Sequence, residues 1–346
     1  MKILITFIAF TFLLTEALAF PPETKTQYAE EFSDNGKHAY RAGEYSKALD
    51  YFNKAIKAGI GTADIYFRRG LSFEKLGDTT RALEDYTRAI QLDPKMETAY
   101  NNRGSVYYRN GSFDQAIKDY SKAIELNPSY SLAYYNRGNA YYGKGDLDKS
   151  VTDFTKALEL DPTDADSYNN RGWALVQKGE IAKAVPDFNR AIEINPEYSL
   201  AYYNRGAARV KLGENEEAIA DLTKAIDLNP RYALAYFQRG NAYFRKNDLD
   251  KAMKDYNEAA KLNPNYPDIY NNRGWLYFSE GDVVQGINDV SKAITLNPDL
   301  ARAYANRGWI YQSSGECEKA IPDFSRTLEL DGPSAAVLTY RGRCFM

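Results

Sequence analysis

One histidine, His38, and two cysteines, Cys317 and Cys344, are all the imidazole and thiol chemistry in 346 residues. That set cannot build a His/Cys zinc site. His38 has no evident nucleophile or carboxylate to work with, so acid–base catalysis lacks an agent. No catalytic residue, metal site or cofactor is expected. Side-chain amides are plentiful and regular: Asn102, Asn136, Asn170, Asn204, Gln238, Asn272 and Asn306 recur every 34 residues. An amide both donates and accepts, so a row of them can pair with a peptide backbone without reading its sequence. A large aromatic accompanies six of them: Tyr135, Trp173, Tyr203, Phe237, Trp275 and Trp309. Together these residues form a candidate ligand-binding groove, with the tryptophans as apolar anchors. The competing reading is that the aromatics fill space between neighbouring helices. Arg109, Lys211 and Arg245 against Asp166 and Asp268 give the same face mixed charge, which disfavours a strongly charged ligand.

Arginines are equally periodic. Arg69, Arg103, Arg137, Arg171, Arg205, Arg239, Arg273 and Arg307 are each followed 16 residues later by an aspartate, from Asp85 to Asp323. A basic ladder for polyanions is one reading, and a structural ion pair within each repeat is the favoured one. A balance of 44 Lys and Arg against 47 Asp and Glu leaves a net charge of −3, which removes the electrostatic footprint of a nucleic-acid binder.

The elements that position these residues repeat as well. Glycines from Gly36 to Gly342 fall at steps of 34. With each glycine at repeat position 8, the units are 29–62, 63–96, 97–130, 131–164, 165–198, 199–232, 233–266, 267–300 and 301–334. A partial tenth, 335–346, serves as a C-terminal cap. Apolar spacing of three and four marks two helices per unit. Gly or Asn247 at position 15 suits a left-handed helix end, and Asp, Glu or Ser at position 16 suits the start of the second helix. Before the repeats, Lys2, an apolar run over 3–14 and Ala17-Leu18-Ala19 read as a signal peptide, 1–19, with a short leader, 20–28. The protein is therefore expected to be exported, periplasmic or secreted, with no membrane span.

This pattern closely resembles the tetratricopeptide repeat family: an aromatic at position 4, glycine at 8, aromatics at 11 and 24, and alanines at 20 and 27. The resemblance implies an all-α fold, a right-handed superhelix (α-solenoid) of nine full helix-turn-helix repeats plus the partial tenth. Arg209, Ser150, Gly286 and Thr327 depart from the pattern. Pro186 and Pro322 fall inside second helices, where local bends are expected. The family's chaperone-binding arrays clamp a terminal carboxylate with Lys at position 5, which this chain lacks, whereas its glycosyltransferase arrays use a similar asparagine ladder. The expected function is a non-enzymatic extracytoplasmic scaffold that binds an extended peptide or partner protein in its concave groove. The alternative is a carbohydrate-binding scaffold in polysaccharide export or envelope assembly. Cys317 and Cys344 lie on opposing flanks of adjacent units, so a disulfide between them is expected. Leu338 and Phe345 lack a covering second helix, which makes the C-terminal edge a candidate homodimer surface.

Overall fold

The computed structural model describes residues 22–345. The proposed signal peptide lies outside the described residues. Among the described residues there are nineteen α-helices and no strand, so the fold is an all-α array of helical hairpins. The chain divides into two compact units at Pro162/Thr163. The first holds α1 (Pro22–Arg41), α2 (Tyr45–Lys57), α3 (Ala63–Lys75), α4 (Thr79–Leu92), α5 (Glu97–Arg109), α6 (Phe113–Leu126), α7 (Ser131–Lys144) and α8 (Leu147–Leu160). The second holds α9 (Ala165–Gln177), α10 (Ile181–Ile194), α11 (Ser199–Leu212), α12 (Asn215–Leu228), α13 (Ala233–Arg245) and α14 (Leu249–Leu262). It continues through α15 (Pro267–Ser279), α16 (Val283–Leu296), α17 (Ala301–Ser313), α18 (Cys317–Asp331) and α19 (Ala335–Arg343). Odd helices open a repeat and even helices close it. Residues 22–28, read as leader, join α1.

Each hairpin closes on one contact. The position-24 residue, for example Tyr120, Phe188 or Tyr256, is at most 1% exposed and lies against the position-8 glycine of its own repeat. A β-carbon on Gly104 would stand 2.9 Å from Tyr120 Cε1, so nothing larger than glycine fits. Burying such a ring contributes roughly 1.5–3 kcal/mol per repeat. The turn then needs a left-handed residue. Gly145 and Gly213 take φ of 82° and 84°, and Asn247 supplies φ 60° where glycine is missing. At the next position chain length decides. Asp78, Asp146, Asp248 and Asp282 accept a backbone N–H as caps, whereas Glu44, Glu180, Glu214 and Glu316 make no such bond. Helices α10 and α18 run on through Pro186 and Pro322 without ending there.

The arginine ladder is structural. All eight guanidinium groups hold their aspartate in two parallel bonds of 2.5–2.9 Å, as between Arg103 and Asp119 and between Arg239 and Asp255. The hydrogen bonds to Asp119 raise the pKa of Arg103 above its ordinary value. A third N–H from the arginine reaches the preceding repeat at position 25. The acceptors are Asn53, Thr87, Ser121, Asn189, Thr223, Asn257 and Ser291, at 2.7–3.2 Å. Arg341 makes the same bond to Ser325 at 3.2 Å. One arginine thus staples a hairpin and locks it to its neighbour. At the C-terminal edge Cys317 and Cys344 are disulfide-bonded with Cα atoms 5.1 Å apart, tying α19 to α18. Leu338 and Phe345 remain exposed there.

Candidate functional site

The first helices of repeats six to nine, α11, α13, α15 and α17, border a cavity of about 520 Å³. Helical spacing puts positions 5, 6 and 9 of each first helix on one face, so every repeat adds the same three positions to the wall. Five of the expected groove residues line it: Phe237, Gln238, Asn272, Trp275 and Asn306. Their amides are wired together. Asn306 Nδ2 donates to Asn271 Oδ1 at 2.9 Å, and Asn271 Nδ2 to Asn272 Oδ1 at 3.0 Å. Asn272 Nδ2 donates to Asn241 Oδ1 at 2.8 Å, and Asn241 Nδ2 to Gln238 Oε1 at 3.3 Å. The chain runs in one direction across three repeats. It leaves Asn306 with one N–H and its side-chain oxygen, and leaves Asn272 and Gln238 each with a lone pair.

Aromatic rings complete the wall. Phe237 is 5% exposed and meets Tyr266 edge-on at 5.6 Å, so it acts as cavity floor more than as a protruding anchor. Trp275 is half-buried and packs against Phe278 and Trp309. Buried Tyr256 donates its O–H to Asn241 Oδ1 at 2.8 Å. Burial, and then the neighbouring Asp268 charge, push the Tyr266 hydroxyl up to about 12. Asp268 pairs with Arg302, so that end of the cavity is neutral. At the other end Arg245 Nη1 donates to the Val210 carbonyl at 2.5 Å, with Lys211 on the same rim. Among the described residues no three His, Cys, Asp or Glu converge as they would on a metal ion.

Models of the TPR repeat match residues 75–111, 106–145, 138–179, 172–213, 208–247 and 240–281, and models of the tetratricopeptide repeat match 267–300 and 301–333. Together they cover more than half of the chain. The chain belongs to the tetratricopeptide repeat family. No curated protein matches it. A tetratricopeptide repeat protein from Parabacteroides merdae is 21% identical over 72% of this chain and 99% of its own, with a TM-score of 0.60. A chain of the APC/C hetero-tetramer Cut9–Hcn1 is 15% identical over 92% of this chain and 76% of its own, at 0.62. Both share the fold. YrrB, described as a TPR protein with an unusual peptide-binding site, is 27% identical over 53% of this chain and 94% of its own, at 0.47.

The other expected residues of this tetratricopeptide array do not gather at the cavity. Asn102, Tyr135 and Asn136 belong to the first unit, where Asn136 donates to Asn101 at 2.9 Å and Asn101 donates to Asn102. Asn170 accepts from Asn169, and half-buried Trp173 lies on α9. Tyr203 lies tilted against Tyr232 at 4.7 Å, and Trp309 meets Trp275 edge-on at 5.7 Å. Asn204 is 4% exposed and spends an N–H on Asn169 at 2.8 Å, so it braces two repeats. Asn241, Phe244, Tyr256, Tyr266 and Arg302 also line the cavity and were not singled out from the sequence. Tyrosine at position 34 of several repeats was the signal for Tyr266, since that residue always lands beside the next first helix.

Proposed function

We propose that this tetratricopeptide repeat scaffold is an exported, non-enzymatic protein that holds an extended peptide or partner segment against its first helices. The observation that carries the reading is the directed amide chain from Asn306 to Gln238 along a cavity floored by aromatic rings. An extended backbone offers alternating donors and acceptors, and such a wall can satisfy both while the rings take up apolar side chains. Export is supported by the signal-like residues 1–19 and by the Cys317–Cys344 bond, since disulfides persist in oxidising compartments.

Purified protein screened side by side on a peptide array and a glycan array tests the reading. Peptide binding is expected, with Trp275→Ala weakening it while circular dichroism stays unchanged. Glycan binding without peptide binding would sink the proposal and leave a carbohydrate scaffold in its place. The asparagines are poor choices for this test. Removing Asn204 strips a buried acceptor of its donor, so lost binding there could not be separated from lost structure.

A further inference from the structure

Position 13 is a cation in five of the nine full repeats, Arg41, Lys75, Arg109, Lys211 and Arg245, and in the third its counter-charge comes from the preceding repeat. In the third repeat Arg109 reaches back to Glu74, at position 12 of the preceding repeat, and forms an ion pair at 2.8 Å. In the seventh repeat the equivalent arginine is Arg245, and the residue equivalent to Glu74 is Val210. Arg245 donates instead to a backbone carbonyl, and it has no carboxylate partner among the described residues. Lys211, at position 13 of the sixth repeat, likewise pairs with no carboxylate, because position 12 of the fifth repeat is Val176. Both uncompensated cations line the same rim of the cavity, while the opposite end is closed by the neutral Asp268–Arg302 pair. A helix C-terminus attracts cations, but its partial charge of about half a unit does not neutralise two. The C-terminal rim carries an excess of positive charge.

Resting on the peptide-binding reading, we propose that this rim selects an acidic side chain, and that the ligand places a large apolar side chain on Phe237 and Trp275. The spacing follows from helix geometry. Phe237 is eight positions from Arg245 on the same helix, roughly 12 Å at a 1.5 Å rise, and Trp275 is four positions lower on the next first helix, about 11 Å away once an interaxial distance of about 9 Å is included. An extended peptide advances about 3.3 Å per residue, so the acidic and apolar residues are about three or four positions apart. The acid is an internal side chain; no terminal carboxylate is required.

Random peptides displayed between fixed flanks, so that no free terminus is presented, are selected on the full chain and on Lys211→Glu/Arg245→Glu. Both substituted side chains are exposed, and helicity is checked by circular dichroism. Wild-type selections are expected to enrich Asp or Glu three or four residues from Trp, Phe or Leu, and the double variant to lose or invert that preference. For a selected peptide, Asp-to-Asn exchange should weaken wild-type binding about tenfold and leave the double variant nearly indifferent. Peptides without acidic preference, or a preference that survives in the double variant, would overturn this inference and leave the groove standing. Binding of a uronate-bearing glycan with no peptide selected would overturn the groove reading as well.

Discussion

Removing the carboxylate of Asp119 tests whether the arginine ladder is a staple. The side chain of Asp119 is 6% exposed and that of Arg103 is 17% exposed. Asp119→Leu deletes two bonds of 2.8 Å and leaves Arg103 with Thr87 Oγ1 at 3.2 Å and the Tyr100 ring. Stranding one partner of a buried pair costs about 3–5 kcal/mol. Because Arg103 can reach some water, about 3 kcal/mol is expected. Arg103→Met combined with Asp119→Leu removes both charges and should recover most of that loss, a coupling of about 2 kcal/mol or more. A single melting temperature is a poor readout, since a repeat array sums local and interface terms and need not unfold in one step. Hydrogen exchange of the α5 and α6 amides reads the local opening directly. If Asp119→Leu costs under about 1 kcal/mol, or the double change is no better than the single one, the pair is not a structural staple.

Two further outcomes follow from packing and burial. Gly274→Ala would put a β-carbon 2.7 Å from Val290 and 2.9 Å from the Gly286 carbonyl, a backbone atom that cannot turn aside. It should cost about 1–3 kcal/mol, whereas Gly342→Ala, with nothing within 4 Å, should be neutral or gain up to about 1 kcal/mol; urea melts showing equal effects at both would refute the close-contact argument. Alkaline pH should unfold the array. Burial foremost holds the Tyr266 hydroxyl up to about 12, and drives Tyr86, Tyr120, Tyr232 and Tyr256 higher still. For a folded value above the unfolded one, the stability is complete below about pH 10 and is lost as pH rises through the folded value. Tyrosinate absorbance should therefore rise together with helix loss, and a gradual rise with helices intact would count against it.

The hairpins were legible because their determinants are local. A glycine at position 8, a ring at 24 and an aspartate 16 residues after an arginine all act inside one repeat, where helical spacing alone fixes who meets whom. What crosses from one repeat to the next was harder to read. Position 25 is Asn, Ser or Thr in all nine full repeats, and the reason is the third bond of each arginine. The groove asparagines were assigned to one face of the first helices. That face also meets the neighbouring helix, and Asn101, Asn169 and Asn271 answer the asparagine of the following repeat. How far one repeat is displaced along the next decides that pairing, and a wheel drawn for one helix does not contain it.

Regularity and function are therefore separable in this chain by a physical criterion. A residue kept at every 34-residue step answers a demand that every repeat shares, and the arginines, position-8 glycines and position-24 rings each have an internal partner. Ligand contact has no reason to follow the period, because a ligand touches each repeat at a different place along its own length. The residues to weigh are those whose partner has been exchanged while they have not. Arg109 has Glu74, but Arg245 has Val210, and the unmatched charge opens into a cavity floored by Phe237 and Trp275. Both cations are exposed, so they stay hydrated in the isolated protein, and an acidic side chain bound beside them would gain charge-assisted hydrogen bonds. Such a contact would give repeats six to nine a specificity that the asparagine series, common to both units, does not supply.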